Sequence, residues 1–189
     1  MTETLYKYRT VDNFKFFVEI LMNNKLFAGK YKSMNDPMEG IYRYSPEFIT
    51  NEQRNALFEE KNAKTFCCFS KDKDNQLLWS HYANGHRGVV IGVKIDETKY
   101  DVRNIDYVED FASIDYYDEN TSMEILSKKL KYWEYENEVR VFSKDNGNEI
   151  NVTITEVILG MNMRFEDEIL IRKLIEKINP NIYFHKNIR

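Results

Sequence analysis

After Trp133 the chain reads Glu134-Tyr135-Glu136-Asn137-Glu138-Val139-Arg140. On an extended backbone alternate side chains share a face, so Glu134, Glu136, Glu138 and Arg140 would stand together. Tyr135, Val139 and Val141 would face the other way and supply core. Carboxylates spaced at about 7 Å repel one another unless Arg140, a ligand or a partner strand compensates. Two chemistries follow. The face is either a solvated one paired with lysines opposite, or the edge of a cleft. In a cleft, one glutamate would hydrogen-bond a polar ligand or stabilise developing positive charge. Spacing does not choose among the three glutamates.

The second concentration of reactive types runs from Cys67-Cys68-Phe69-Ser70 through Trp79-Ser80-His81-Tyr82 to His86-Arg87-Gly88. Two Cys and two His invite a zinc reading. Adjacent cysteines on a strand point to opposite faces, however, and His81 and His86 are off the i, i+4 spacing of helical zinc ligands. No metal is therefore expected, and both thiols are expected to be structural. Trp79 and Tyr82 share a helical face. Such a stripe is either core or a stacking wall for a planar group such as nicotinamide or adenine. His86 and Arg87 sit at a turn into a strand, where either could meet a phosphate or cap a carbonyl.

The opening strand Leu5-Tyr6-Lys7-Tyr8-Arg9 offers Lys7 and Arg9 on one face and Tyr6 and Tyr8 on the other. The first pair suits an anionic ligand, the second a stacked ring. Asn35-Asp36-Pro37 reads as an Asx-type turn, and Glu39 just after it is the one hint of something more. P-loop, GxGxxG, HExxH and GxSxG patterns do not occur, which excludes the readings attached to them.

The elements that must position these residues follow from periodicity and punctuation. Leu5 to Arg9 reads as a strand. Val11, Phe14, Val18 and Leu21 mark a helix capped by Thr10 or Asp12, followed by a strand over Lys25 to Ala28. Lys30 to Met34 reads as extended, and Ser45-Pro46 as the start of a helix to Lys61. Thr65 to Ser70 is a buried strand, Gln76 to Ala83 a short helix, and Gly88 to Ile95 the strongest strand. Val102 to Val108 is a further strand. Met123, Leu126, Leu130 and Trp133 recur at helical spacing before the period changes to two. Asn146-Gly147 is a hairpin signal, Glu156 to Gly160 a strand, and Ile171 to Ile178 a last helix stopped by Pro180.

Strands and helices mix without βαβ alternation, which makes the expected class α+β, with mixed or antiparallel sheets and flanking helices. The 189 residues carry 27 Lys+Arg against 31 Asp+Glu, a net charge of −4, with 42% hydrophobic and 14% aromatic residues. That composition excludes disorder, collagen and coiled coil. One domain over residues 1–189 is expected, since no linker or repeat interrupts the chain. No apolar run reaches the ~20 residues of a membrane span, and the start lacks a secretion-signal layout. With adjacent cysteines as the only two, a reducing, cytoplasmic setting without membrane contact is expected.

In order, LYKYR, NDPME, CFSKDKDNQLLWSHYANGHRGVVIGV and WEYENEVRVF resemble the hallmarks of a widespread bacterial family classed as a domain of unknown function, with K-Y-R, N-D-P-x-E, C-F-S, W-S-H-Y-A-x-x-H-x-G and W-x-x-E-x-E-x-R motifs. The match covers Leu5 to Gly160. The layout is also similar to ADP-ribosyltransferases. These open with a strand whose His or Arg grips the nicotinamide-side ribose. They continue with a helix, a second strand and an aromatic-plus-serine strand, then a helix whose Tyr stacks on nicotinamide. Their catalytic Glu lies on a later strand. Here Lys7 stands in place of a plain His, and no Ser-Thr-Ser triplet follows.

What this likeness implies is an ADP-ribosyltransferase-like fold with NAD as substrate. Lys7 or Arg9 would hold ribose or phosphates, Ser70 would orient the ribose, and Trp79 or Tyr82 would stack on nicotinamide. Glu138 or Glu136 would be catalytic, and His86 is a further candidate for contact with the nucleotide. The acceptor would be a nucleic acid or a protein, in the setting of a toxin or anti-phage effector. The alternative is a non-catalytic module that binds a nucleotide, nucleic acid or protein. A hydrolase using His81 or His86 as base lacks an orienting carboxylate in the sequence.

Overall fold

The computed structural model describes residues 3–187; residues 1–2 and 188–189, the ends of the expected domain, lie outside the described residues. The chain opens as expected with strand β1 (Leu5–Arg9), then helix α1 (Phe14–Asn23) and strand β2 (Lys25–Phe27). Asn13 rather than Thr10 or Asp12 precedes α1, and Asn24 ends it in the left-handed conformation, φ 52°, which Asn tolerates better than most residues. Tyr31–Ser33 forms a 3-10 turn, not the extended piece expected over Lys30 to Met34. Strand β3 (Tyr42–Tyr44) and helix α2 (Asn51–Ala63) follow. The α2 start lies five residues beyond Pro46, because Thr50 and Gln53 close a reciprocal capping box there. Ser45-Pro46 instead opens a turn, its Ser45 carbonyl accepting from the amides of Phe48 and Ile49.

Strand β4 (Phe66–Ser70), helix α3 (Gln76–Tyr82) and strand β5 (Val89–Lys94) lie close to their expected positions. Two strands, β6 (Tyr100–Asn104) and β7 (Asp106–Val108), occupy the stretch expected as one. After β8 (Ala112–Ile114), helical spacing from Met123 to Trp133 yields only one short helix, α4 (Thr121–Ile125). Strand β9 (Lys128–Leu130) follows, then a 3-10 helix over Lys131–Glu136. Tertiary pairing overrides the local period here: β9 lies parallel to β7, and Lys129 is buried. Strand β10 (Glu138–Ser143), β11 (Glu149–Asn151), β12 (Thr153–Leu159), helix α5 (Phe165–Ile178) and β13 (Tyr183–Lys186) complete the chain.

Seven strands make one mixed sheet in the order β13-β12-β5-β1-β4-β10-β6, and three two-stranded ladders, β11-β2, β3-β8 and β7-β9, stand beside it. The turn at Asn146-Gly147 does not close a hairpin: β10 already has β4 and β6 on its two edges, so β11 pairs with β2. The run of β-branched residues in β5 reflects its central place, buried on both faces. Val89, Ile91 and Val93 enter the main core with Phe17, Leu21 and Ile171 of the covering helices. Val90 joins Tyr8, Leu78, Trp79 and Ile158 in a second cluster, around α3.

The opening strand is held differently on its two edges. It pairs with β5 over its whole length, from Leu5↔Val93 to Arg9↔Val89, but with β4 only at Tyr6↔Ser70. The far end of that β4 edge is closed by Gly29, whose backbone exchanges two hydrogen bonds with Phe66. The sheet is therefore split along the middle of β4.

Candidate functional site

The split opens a hollow of about 430 Å³, within the size range of small-molecule sites. Tyr6, Lys7, Tyr8 and Arg9 line one side and β4 the other. Both faces of β1 thus reach the same space, because the cavity lies beside the strand where its partner departs. The Lys7 ammonium spans the gap and donates to the Cys68 carbonyl at 2.8 Å. That satisfies an acceptor which an unbroken ladder would have engaged.

One wall is a chain of buried charge. Lys129 donates to Glu136 at 2.5 Å and to Glu138 at 3.1 Å. Arg140 Nε donates to Glu138 Oε1 at 2.8 Å, and its two terminal nitrogens hold both oxygens of Glu39 at 2.7 Å. The Tyr82 hydroxyl donates to Glu136 at 2.5 Å and accepts from Asn35 Nδ2 at 2.7 Å. The side chains of Glu39, Lys129, Glu136, Glu138 and Arg140 are all at most 7% exposed. Carboxylates survive this burial because each meets at least one cation in hydrogen-bond contact.

Local geometry explains how two glutamates meet there. Glu138 and Arg140 are alternate residues of β10 and share a face, with Ser70 and Cys68 opposite them in register. Glu136 is not on that strand. It ends the 3-10 helix, and Asn137 in the left-handed conformation (φ 44°) turns the chain so that Glu136 folds back beside Glu138. Ser70 fixes the junction by donating to the Glu136 carbonyl at 2.7 Å. Glu134 stays on the exposed side of the helix.

Burial opposes ionisation of Glu138, but Arg140 and Lys129 outweigh it and hold its pKa at about 2. Burial likewise works against the Lys129 ammonium, and the two glutamates more than restore it, leaving its pKa raised. The Tyr82 phenol is pushed up by burial and by Glu136, so it stays a proton donor. Burial and the neighbouring Glu138 charge push the Cys68 thiol well up. It is an inert thiol rather than a nucleophile. Cys67 faces the main core, and both cysteines are free.

Of the residues singled out in the sequence, Lys7, Arg9, Ser70, Tyr82, Glu136 and Glu138 line this hollow. Trp79 and His86 do not. Trp79 is fully buried, donates from its indole nitrogen to the Lys73 carbonyl at 2.9 Å and stands edge-on to Tyr8. His86 stacks on the same indole, rings 5.7 Å apart at 9°. The aromatic stripe therefore divides: Trp79 is core, and only Tyr82 reaches the cavity. Asp36 makes the expected Asx turn, accepting from the Met38 amide at 2.9 Å.

Lys129 carried no warning in the sequence as a site residue, since a lysine has ordinary surface uses, and Asn35 was marked only as part of the NDPME turn. Glu39 had its place after the turn and at the end of the NDPME motif. The segments LYKYR, NDPME, CFS, WSHYA and WEYENEVR each deliver at least one side chain to the cavity.

A second hollow of about 340 Å³ adjoins the first and shares Lys7, Tyr8, Arg9 and Tyr82 with it. Among the described residues, no group of three His, Cys, Asp or Glu could hold a metal ion, and no helix is long and apolar enough to cross a membrane. No family model, curated protein or solved structure matches the chain.

Proposed function

We propose that the split-sheet cavity binds NAD and that the protein is an ADP-ribosyltransferase-like enzyme modifying a macromolecule, as a toxin or anti-phage effector. One observation carries the reading: Glu136 and Glu138, Lys7 and Arg9, and the Tyr82 ring line a single hollow. Membership of the bacterial family that the motifs resemble belongs to the same proposal, and so does a reducing, cytoplasmic setting.

The charge pattern supports this ligand class. The acidic wall sets three carboxylates against two cations. Lys7 meets the Cys68 carbonyl and the Phe69 ring but no carboxylate, and neither Lys7 nor Arg9 has an ion-pair partner among the described residues. NAD is cationic at its pyridinium ring and anionic at its diphosphate, which matches that polarity. In the reaction the bond from ribose to the pyridinium nitrogen breaks, and its electron pair leaves with neutral nicotinamide. An acceptor lone pair then forms the new bond to ribose, and the acceptor proton is lost. Glu138 stays ionised throughout and stabilises the cationic ribose in a partly dry site. Glu136, oriented by Tyr82 and Lys129, is placed to receive the acceptor proton.

The test is nicotinamide release by purified protein. Glu138→Gln and Glu136→Gln are expected to lower it by about 100-fold or more while melting as cooperatively as wild type. Full activity in both single variants and in the double variant rejects the proposal. A second reading, a non-catalytic nucleotide-binding module, is favoured by the pairing of Glu138 with both Arg140 and Lys129, which already occupy its oxygens. It predicts ligand-induced thermal stabilisation with no NAD consumption.

A further inference from the structure

The second hollow shares Lys7, Arg9 and Tyr82 with the first but neither glutamate, and its chemistry differs. It is lined by Lys7, Arg9, Thr10, Asn13, Phe16 and Tyr82, among others, and by no acidic residue. Two cations facing a hollow without a carboxylate create a positive potential that an anion would relieve. Phe16 is 50% exposed although it lies on α1 beside Phe17, which is buried in the main core. The Asn13 side chain makes no capping hydrogen bond to α1, so its amide has both donor and acceptor to offer.

From this we infer that the second hollow is a mononucleotide subsite, with a phosphate between Lys7 and Arg9 and a planar base against Phe16. An exposed ring beside two cations is the combination that stacks a base while holding its phosphate. The occupant has two sources. It is either the second half of a dinucleotide that spans both hollows, which rests on the NAD reading above, or a free mononucleotide, which does not.

Calorimetric titration of the full chain with the four ribonucleoside monophosphates, nicotinamide mononucleotide and NAD separates these. At low salt at least one ribonucleoside monophosphate binds one-to-one, and its affinity falls as salt rises. Phe16→Ala and Arg9→Met each weaken that binding about tenfold or more, and Phe16→Ala leaves nicotinamide mononucleotide unaffected. Phe16→Leu, which keeps apolar bulk without the ring, behaves as Phe16→Ala. If Phe16→Ala weakens NAD as much as the mononucleotide, the dinucleotide source holds; if it weakens the mononucleotide and leaves NAD unchanged, the free one does. Absence of binding by all four monophosphates, or binding unchanged in both Phe16→Ala and Arg9→Met, overturns the inference. Loss of nicotinamide release in wild type with this pattern intact would sink the NAD reading alone.

Discussion

Lys129 is the keystone of the buried charge chain, and its replacement by methionine tests the account of that wall. Its ammonium is shared by Glu136 and Glu138, and all three side chains are at most 7% exposed. Methionine keeps most of the volume but leaves two buried carboxylates facing each other with one cation, Arg140, on Glu138 alone. Removing one partner of such a pair costs about 3–5 kcal/mol. For a chain of this length that corresponds to a fall of about 6–20 °C in melting temperature.

The deficit must also depend on pH. Glu138 titrates at about 2 in the folded protein against an ordinary 4.5. Its contribution is therefore complete above about 4.5 and is lost as pH falls toward 2. Part of that contribution is Lys129's, so the gap between wild type and Lys129→Met narrows across this window. Calorimetric melts at pH 7, 5 and 3 measure it. A loss below about 1 kcal/mol, or a gap that stays constant with pH, would refute the claim that Lys129 is the buried counter-ion of both glutamates.

Three further perturbations probe the frame around the site. Lys61 is buried between the Tyr31 and Tyr42 rings, each 4.8 Å away, and donates to the Gly40 carbonyl at 2.5 Å. Burial and then Lys32 lower its pKa to about 8, against an upward pull from Glu39. The unfolded chain then binds more protons between about 8 and 10, so stability rises with pH there. Lys61→Met should abolish that rise, of order 2 kcal/mol, in denaturant titrations at pH 7.5 and 9.5. Trp79→Ala should cost about 3–5 kcal/mol, whereas Trp79→Phe should leave nucleotide titrations unchanged, because the indole lies outside the cavity. At Gly88 an added Cβ would fall 2.2 Å from the Arg9 carbonyl oxygen. Gly88→Ala should therefore cost about 1–3 kcal/mol by urea unfolding and weaken ligand binding by moving the end of β1.

Local pattern made much of the frame legible. The alternation in Leu5–Arg9, the β-branched run of β5 and the spacing of Ile171 to Ile178 each have one dominant period, and the corresponding elements formed. The stretch from Met123 to Trp133 misled because its apolar residues serve different neighbours. Met123 and Leu126 pack on Phe66 and Phe142, while Lys129 is drawn under the glutamates. Asn146-Gly147 misled because a turn signal specifies a reversal and not which strand lies alongside afterwards. For the site, the residue types at Lys7, Arg9, Ser70, Tyr82, Glu136 and Glu138 pointed to one polar cavity, but Trp79 and His86 looked equally apt. Only packing separated the indole in the core from the phenol at the rim.

Residue order by itself determined which side chains alternate along β1, β4 and β10, since a period of two is a property of the extended backbone alone. It equally determined that a carboxylate-rich segment needs compensating charge. Only the tertiary structure decided where that charge comes from. Lys129 and Glu39 reach Glu138 and Arg140 from separate segments, one of them about a hundred positions away along the chain. It also decided that β1 and β4 part after a single paired position, and hence that a cavity exists between them. Strand separation depends on what each edge meets across the whole fold, which no local period encodes.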